Sequence, residues 1–170
     1  MLTVATHSGS FHADDCFAYA ILRAATKGEL TLARSRDKAD WDRADVVFDV
    51  GGVFDPAKRR YDHHMRDKPL RPNGESYSSA GLVWRDFGVA ALTTLLPGVA
   101  EDVLARVAER LDSGLIRDVD LMDNGEMPPT AGHFSALLEA FNPTFTETER
   151  DENAAFMEAA GLAGSALARA

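Results

Sequence analysis

The spacing of apolar residues changes character along the chain, and each change predicts an element. Leu2-Thr3-Val4-Ala5 is a short apolar run that enters the polar loop His7-Ser8-Gly9-Ser10, as a buried strand would. From Asp14 to Thr26 the period becomes helical, with Phe17, Ile21 and Ala24 on one face, Ala20 beside them and Gly28 as the stop. Leu30 to Arg34 reads as a second strand, and the polar stretch Asp37 to Asp45 holds one helical turn. Val46-Val47-Phe48-Asp49-Val50 is the clearest strand, closed by Gly51-Gly52.

Tyr61-Asp62-His63-His64 ends another extended segment, and a loop with Pro69, Pro72 and Gly74 follows. Ser78-Ser79 reads as the cap of a helix reaching about Phe87. Val99, Val103, Leu104, Val107 and Leu111 space a helix from Val99 to about Arg117, and two more are expected near Ala131–Phe141 and Glu147–Ala168. Strands alternating with helices predict an α/β fold, with a central, mainly parallel sheet flanked by helices.

Composition narrows the functional classes. At 170 residues, 45% of them hydrophobic, the chain suffices for one domain with a sizeable core. No apolar run approaches the roughly 18 residues of a membrane helix, and the N-terminus does not read as a secretory signal, so a cytoplasmic protein is expected. Cys16 is the only cysteine, which excludes an internal disulfide, and it is read as a small buried residue. A net charge of −9 argues against a broad grip on duplex nucleic acid. It leaves room for a small nucleotide or a short single strand, since two bound dications would offset part of that charge.

The candidate chemistry gathers at the predicted strand ends. His7 and His12 flank the loop after the first strand, with Asp14 and Asp15 next. Asp49 lies near the end of the clearest strand, and Asp62, His63 and His64 follow the next. Asp120 and Asp123, before Asn124-Gly125, close a helical stretch. In an open parallel sheet, ligands bind at the carboxyl ends of the strands.

Taken singly, each of these residues has a plainer reading as a surface, capping or turn residue. Together they differ, because four of the five histidines fall in two compact motifs, each containing aspartate. Imidazole mixed with carboxylate suits a dication such as Mn²⁺. So many donors exceed one tetrahedral zinc and fit two metals about 3.5–4 Å apart. His133, on a predicted helix, is read as structural or exposed.

Asp62-His63-His64 resembles the signature triplet of the DHH phosphoesterase superfamily. Within it, the chain is similar to the melanocyte proliferating gene family, also labelled metal-dependent protein hydrolases and, in eukaryotes, RNA exonucleases. The matching stretches are Thr6–Asp15, Asp49–Pro56, Arg60–His64, Ser78–Val83 and Asp120–Gly125, in family order, with a softer likeness at Asn142-Pro143-Thr144.

The resemblance implies a DHH-type domain over residues 1–170 that holds two divalent metal ions, Mn²⁺ foremost, with Mg²⁺ or another transition metal as alternatives. By position, His7, His12 and Asp49 would hold the first metal. Asp14, Asp49, His63 and Asp123 would hold the second, with Asp49 bridging and Asp120 as the rival of Asp123. Asp62 would orient a histidine and His64 would face the substrate phosphate, the two being the catalytic pair. Asp15 would support these ligands or complement its helix N-terminus. Ser78 and Ser79 would either bind a substrate anion or simply cap their helix.

The expected activity is hydrolysis of a phosphodiester, in a short RNA or DNA or a small nucleotide, by a two-metal-activated hydroxide. A peptidase reading ranks last, because no His-Glu-x-x-His helix is present. The family's usual C-terminal domain is expected to be absent after Ala170. The alternative class is therefore a metal-binding half or regulatory module, inactive without a partner domain. Oligomeric state is left open.

Overall fold

The computed structural model describes residues 1–128, 130, 132–147 and 149–170. Strands β1 (Leu2–Thr6), β2 (Leu30–Arg34), β3 (Val46–Phe48), β4 (Phe54–Asp55) and β5 (Arg60–Tyr61) form one sheet in the order β2-β1-β3-β5-β4. β2, β1, β3 and β5 run parallel, and only β4 is antiparallel, pairing with β5.

Period-two alternation splits the sheet's side chains between two layers. Val4, Val46 and Phe48 face the main core, whereas Ala5 and Val47 pack with Ala44 and Trp41 under the short helix α2 (Lys38–Arg43). On the main face lie α1 (Ala13–Ala25), α3 (Ser79–Leu95) and α7 (Glu152–Leu167), with α4 (Glu101–Leu111), α5 (Arg117–Asp123) and α6 (Phe134–Glu139) around them. Among the described residues no helix is long and apolar enough to cross a membrane.

The expected one-faced α1 is instead buried on nearly every side from Ala13 to Leu22, because α3, α6 and α7 enclose what the sheet leaves open. α3 runs two turns beyond the expected end, since Gly88, Ala91 and Leu92 continue its buried face. The helix expected from Val99 starts at Glu101 and does not stop near Arg117. It passes through a π-helical turn at Asp112–Ile116 into α5, which carries Asp120 and Asp123. The helix expected at Ala131 begins at Phe134, and Ala131 itself lies outside the described residues.

Gly81, in the first turn of α3, marks the tightest approach. A β-carbon there would lie 2.6 Å from Asp120 Oδ1 and 2.7 Å from Tyr77 Cδ1. Gly81→Ala is therefore expected to cost about 1–3 kcal/mol by overpacking. Differential scanning calorimetry should record that as a fall in melting temperature of roughly 3–10 °C. An unchanged melting temperature would mean that α3 and α5 can part without penalty.

Candidate metal centre

The topology makes the crevice. From β1 the chain crosses over α1 to β2 on one side, then returns so that β3 pairs on the other side of β1. This reversal of strand order opens a cleft beyond the carboxyl ends of β1 and β3. His7 is the first residue past β1, and Asp49 the first past β3. Asp49 has φ 56°, a left-handed conformation that aspartate tolerates better than most residues and that ends the strand at Phe48 rather than Val50. Asp62 is the first residue past β5, followed by His63 and His64.

Helix ends supply the rest. Asp14 and Asp15 sit in the first turn of α1, where the helix dipole favours carboxylates. Ser79 opens α3, its N–H donating to Asp14 Oδ2 (3.2 Å) and its hydroxyl to Asp49 Oδ1 (3.1 Å). Asp123 is the last residue of α5, and Asn124 Oδ1 lies 3.4 Å from Nδ1 of His63.

Among the described residues three groups of potential ligand atoms result, each spanning no more than 4.8 Å: His7 with Asp15 and Asp49, Asp49 with His63 and His64, and His12 with Asp14 and Asp123. His7 Nε2 is 3.1 Å from Asp49 Oδ2 and 3.2 Å from Asp15 Oδ2. His63 Nε2 is 3.2 Å from Asp123, 3.4 Å from Asp49 and 3.7 Å from Asp14. Asp49, shared by two groups, stands at the centre.

The donor set fits divalent cations. Among the described residues, Asp14 Oδ1, Asp15 Oδ2 and His63 Nε2 are buried without a hydrogen-bond partner. Orphaned charged atoms inside a protein are expensive unless a counter-charge satisfies them. Burial drives the carboxyls of Asp14, Asp15 and Asp123 above the usual range, and crowding by Asp49 adds to it. Burial also pushes Asp49 up, but His63 and His7 outweigh it and hold that carboxyl low. His7 is pulled down by burial yet raised to about 10 by Asp15 and Asp49. A neighbourhood so starved of positive charge is what a dication relieves.

Asp62 belongs to none of these groups. Its Oδ1 accepts from the N–H groups of His63 and His64 and from Nδ1 of His64 at 2.7, 3.0 and 2.8 Å, and its Oδ2 accepts from Gly52 N–H. It thereby fixes the turn that presents both histidines. His64 is 62% exposed and lines a cavity of about 540 Å³ with His7, His12 and Asp49.

Asp120 is completely buried away from the metal-capable groups. It accepts from Ser78 N–H, Ser78 Oγ and Gly81 N–H and pairs with Arg71. Ser78 and Ser79 are likewise buried, with their hydroxyls turned inward to Asp120 and Asp49 rather than to an open anion site. Cys16 is buried, and burial pushes its thiol up. His133 caps α6 by accepting from Ser135 N–H.

Sequence reasoning paired His12 with His7 and Asp49, and the three line one cavity, while the tightest groups of donor atoms bring Asp15 to His7 and Asp49, and His12 to Asp14 and Asp123. It also passed over two buttresses of the His7 loop. Arg34 donates to Gly9 O (2.6 Å) and Glu152 O (3.0 Å), with its guanidinium over the Phe156 ring. Asn142 pairs with both backbone groups of Phe11 (2.9 and 2.7 Å). The softer likeness at Asn142 was the one available signal.

Ser79→Ala is expected to weaken metal binding about 10–100-fold, the usual effect of losing a group that orients a ligand. Mn²⁺ calorimetry checks it. An unaltered affinity would mean that the Ser79 hydroxyl does not orient Asp49.

A family model described as an uncharacterised protein family (UPF0160), with the short name MYG1 exonuclease, matches residues 3–170. The MYG1 exonuclease of Bos taurus is 33% identical over 177 residues, covering 94% of this chain and 46% of that protein. The MYG1 exonuclease of Homo sapiens is 32% identical, with 94% and 47% covered. The MYG1 protein of Caenorhabditis elegans is 31% identical, with 98% and 54% covered. The chain spans about half the length of the curated relatives it matches. No solved structure gives a significant match.

Proposed function

The chain belongs to the MYG1 exonuclease family, and from that premise we propose that it is a nuclease-type phosphodiester hydrolase of DHH type, dependent on two divalent metal ions. One observation carries this reading: buried carboxylate and imidazole atoms, several of them without a hydrogen bond, converge beyond the carboxyl ends of β1, β3 and β5. His7, Asp49, Asp14, His63, Asp123 and His12 would hold the ions, with Asp49 shared and Asp15 joining His7. When bound, Mn²⁺ or a similar ion would acidify water and neutralise charge growing on the phosphoryl oxygens.

The chain's own residues position the substrate and donate hydrogen bonds to it. Asp62 accepts from Nδ1 of His64 and raises that histidine against the opposing effect of burial, so Nε2 is the donor left for a non-bridging phosphate oxygen. Ser79 and Asn124 hold Asp49 and His63 in orientation. The substrate class is a short RNA or DNA, or a small nucleotide. The crevice is small and the chain carries −9, neither of which suits a long duplex.

The test is a length series of end-labelled oligonucleotides with Mn²⁺ and with chelator. Shortening from one end, with Mn²⁺ only, is expected. Equal cleavage in the presence of chelator would contradict the reading. A second reading, a half-enzyme that binds metal but needs a partner domain, is favoured by the chain's spanning about half of its relatives. It predicts Mn²⁺ uptake without turnover, restored on adding the remaining part of a full-length relative.

A further inference from the structure

We propose that Arg36 recognises a second phosphate group next to the scissile one, making the preferred substrate a nucleotide that carries two neighbouring phosphates. The proposal rests on the hydrolase reading above and adds a specificity residue to it.

Each parallel strand delivers a residue beyond its carboxyl end to one crevice. In spatial order these are Arg36 after β2, His7 after β1, Asp49 after β3 and the Asp62-His63-His64 turn after β5. Three of the four positions carry the metal-capable donors, and the fourth carries a permanent cation. Arg36 lines the same cavity as His7, Asp49 and His64. β2 and β1 are in direct register, Arg34 opposite Thr6, and Ser35 N–H donates to Thr6 O. By that register Ser35 lies beside His7 and Arg36 beside Ser8, one position farther along, where its Nε reaches Ser8 O.

Among the described residues no carboxylate forms an ion pair with Arg36. Its Nε donates to Ser8 O at 3.1 Å, and its side chain is exposed. Four other cations of this part of the chain are engaged: Lys38 with Asp42, Arg43 with Asp40, Lys58 with Asp55, and Arg34 with backbone carbonyls of Gly9 and Glu152. In a chain of net charge −9, a guanidinium with no described carboxylate partner at the mouth of an acidic crevice is a local reversal of sign. The Ser8 contact orients the side chain through one nitrogen and leaves the terminal pair for a phosphate, which a guanidinium grips in bidentate fashion. A nucleotide with its reacting phosphate over β1 and β3 would then lay the adjoining phosphate over β2.

The experiment compares binding of a nucleoside 3′,5′-bisphosphate with that of the corresponding 3′- and 5′-monophosphates. Calorimetry on the Mn²⁺-loaded chain gives the affinities, and turnover of bis-p-nitrophenyl phosphate is followed alongside. The wild type is expected to favour the bisphosphate by about tenfold or more, the scale of one charge-assisted contact. Arg36→Gln should bring that ratio near unity and Arg36→Lys should restore part of it. Lys38→Gln, which changes net charge equally, should keep the preference.

No preference in the wild type, or equal loss in Arg36→Gln and Lys38→Gln, overturns the proposal while hydrolysis of the simple diester leaves the hydrolase reading standing. Failure both to take up Mn²⁺ and to hydrolyse the diester overturns the two together.

Discussion

Asp49→Asn is expected to lower phosphodiester hydrolysis by about three orders of magnitude and to abolish the thermal stabilisation that Mn²⁺ confers. Asparagine is the informative replacement because Asp49 sits at φ 56°, and asparagine tolerates the left-handed region as alanine does not. The fold is thus retained while the charge shared between the His7 and His63 groups is lost. For the wild type, Mn²⁺ at about a hundred times its dissociation constant should add roughly 2.7 kcal/mol, or about 5–10 °C in melting temperature. In the variant the metal-dependent rise should vanish. Retention of both the rise and the hydrolysis, in a folded sample, would remove Asp49 from the centre of the account.

The second large effect concerns stability. Asp120→Ala is expected to destabilise the fold by about 3–5 kcal/mol, roughly 10 °C or more in melting temperature. Its carboxylate is fully buried and holds Ser78 N–H, Ser78 Oγ, Gly81 N–H and the Arg71 guanidinium at once. Removing it orphans those donors in the interior. Arg71 retains Asp112 and stacks on Tyr77, which limits the loss on that side.

Asp123→Ala should behave in the opposite way. Asp123 adds to the crowd of carboxylates around Asp14 and Asp49, so its removal should leave the metal-free protein at least as stable while weakening metal uptake. Calorimetric melting with and without Mn²⁺ separates the two aspartates. Similar behaviour of both variants would show that they do not divide into a structural and a site residue.

The sequence could not make that division, because both residues lie three apart on one helix and both precede Asn124-Gly125 closely. Only the π-helical turn at Asp112–Ile116, which no spacing rule announced, continues the helix so that Asp120 meets the start of α3 and Asp123 reaches His63. The strand ends were legible for the converse reason. Val4-Ala5 and Val46-Val47-Phe48 are strongly apolar and stop at polar residues, so His7 and Asp49 could be placed at a carboxyl edge.

β4 is two residues long and carries no periodic signal, so it went unseen. The exchange of His12 for Asp15 beside His7 depends on how the first turn of α1 faces the loop. There His12 N–H donates to Asp15 Oδ1, and the other oxygen of Asp15 lies towards His7. Arg34 and Asn142 act across 118 and 131 positions of chain, beyond the reach of local pattern.

The most direct test of the central claim is titration of the metal-free chain with Mn²⁺, followed by turnover of bis-p-nitrophenyl phosphate on the same sample. The account predicts uptake of about two ions per chain and hydrolysis that chelator abolishes. A folded chain that takes up no metal and leaves the diester intact would contradict it.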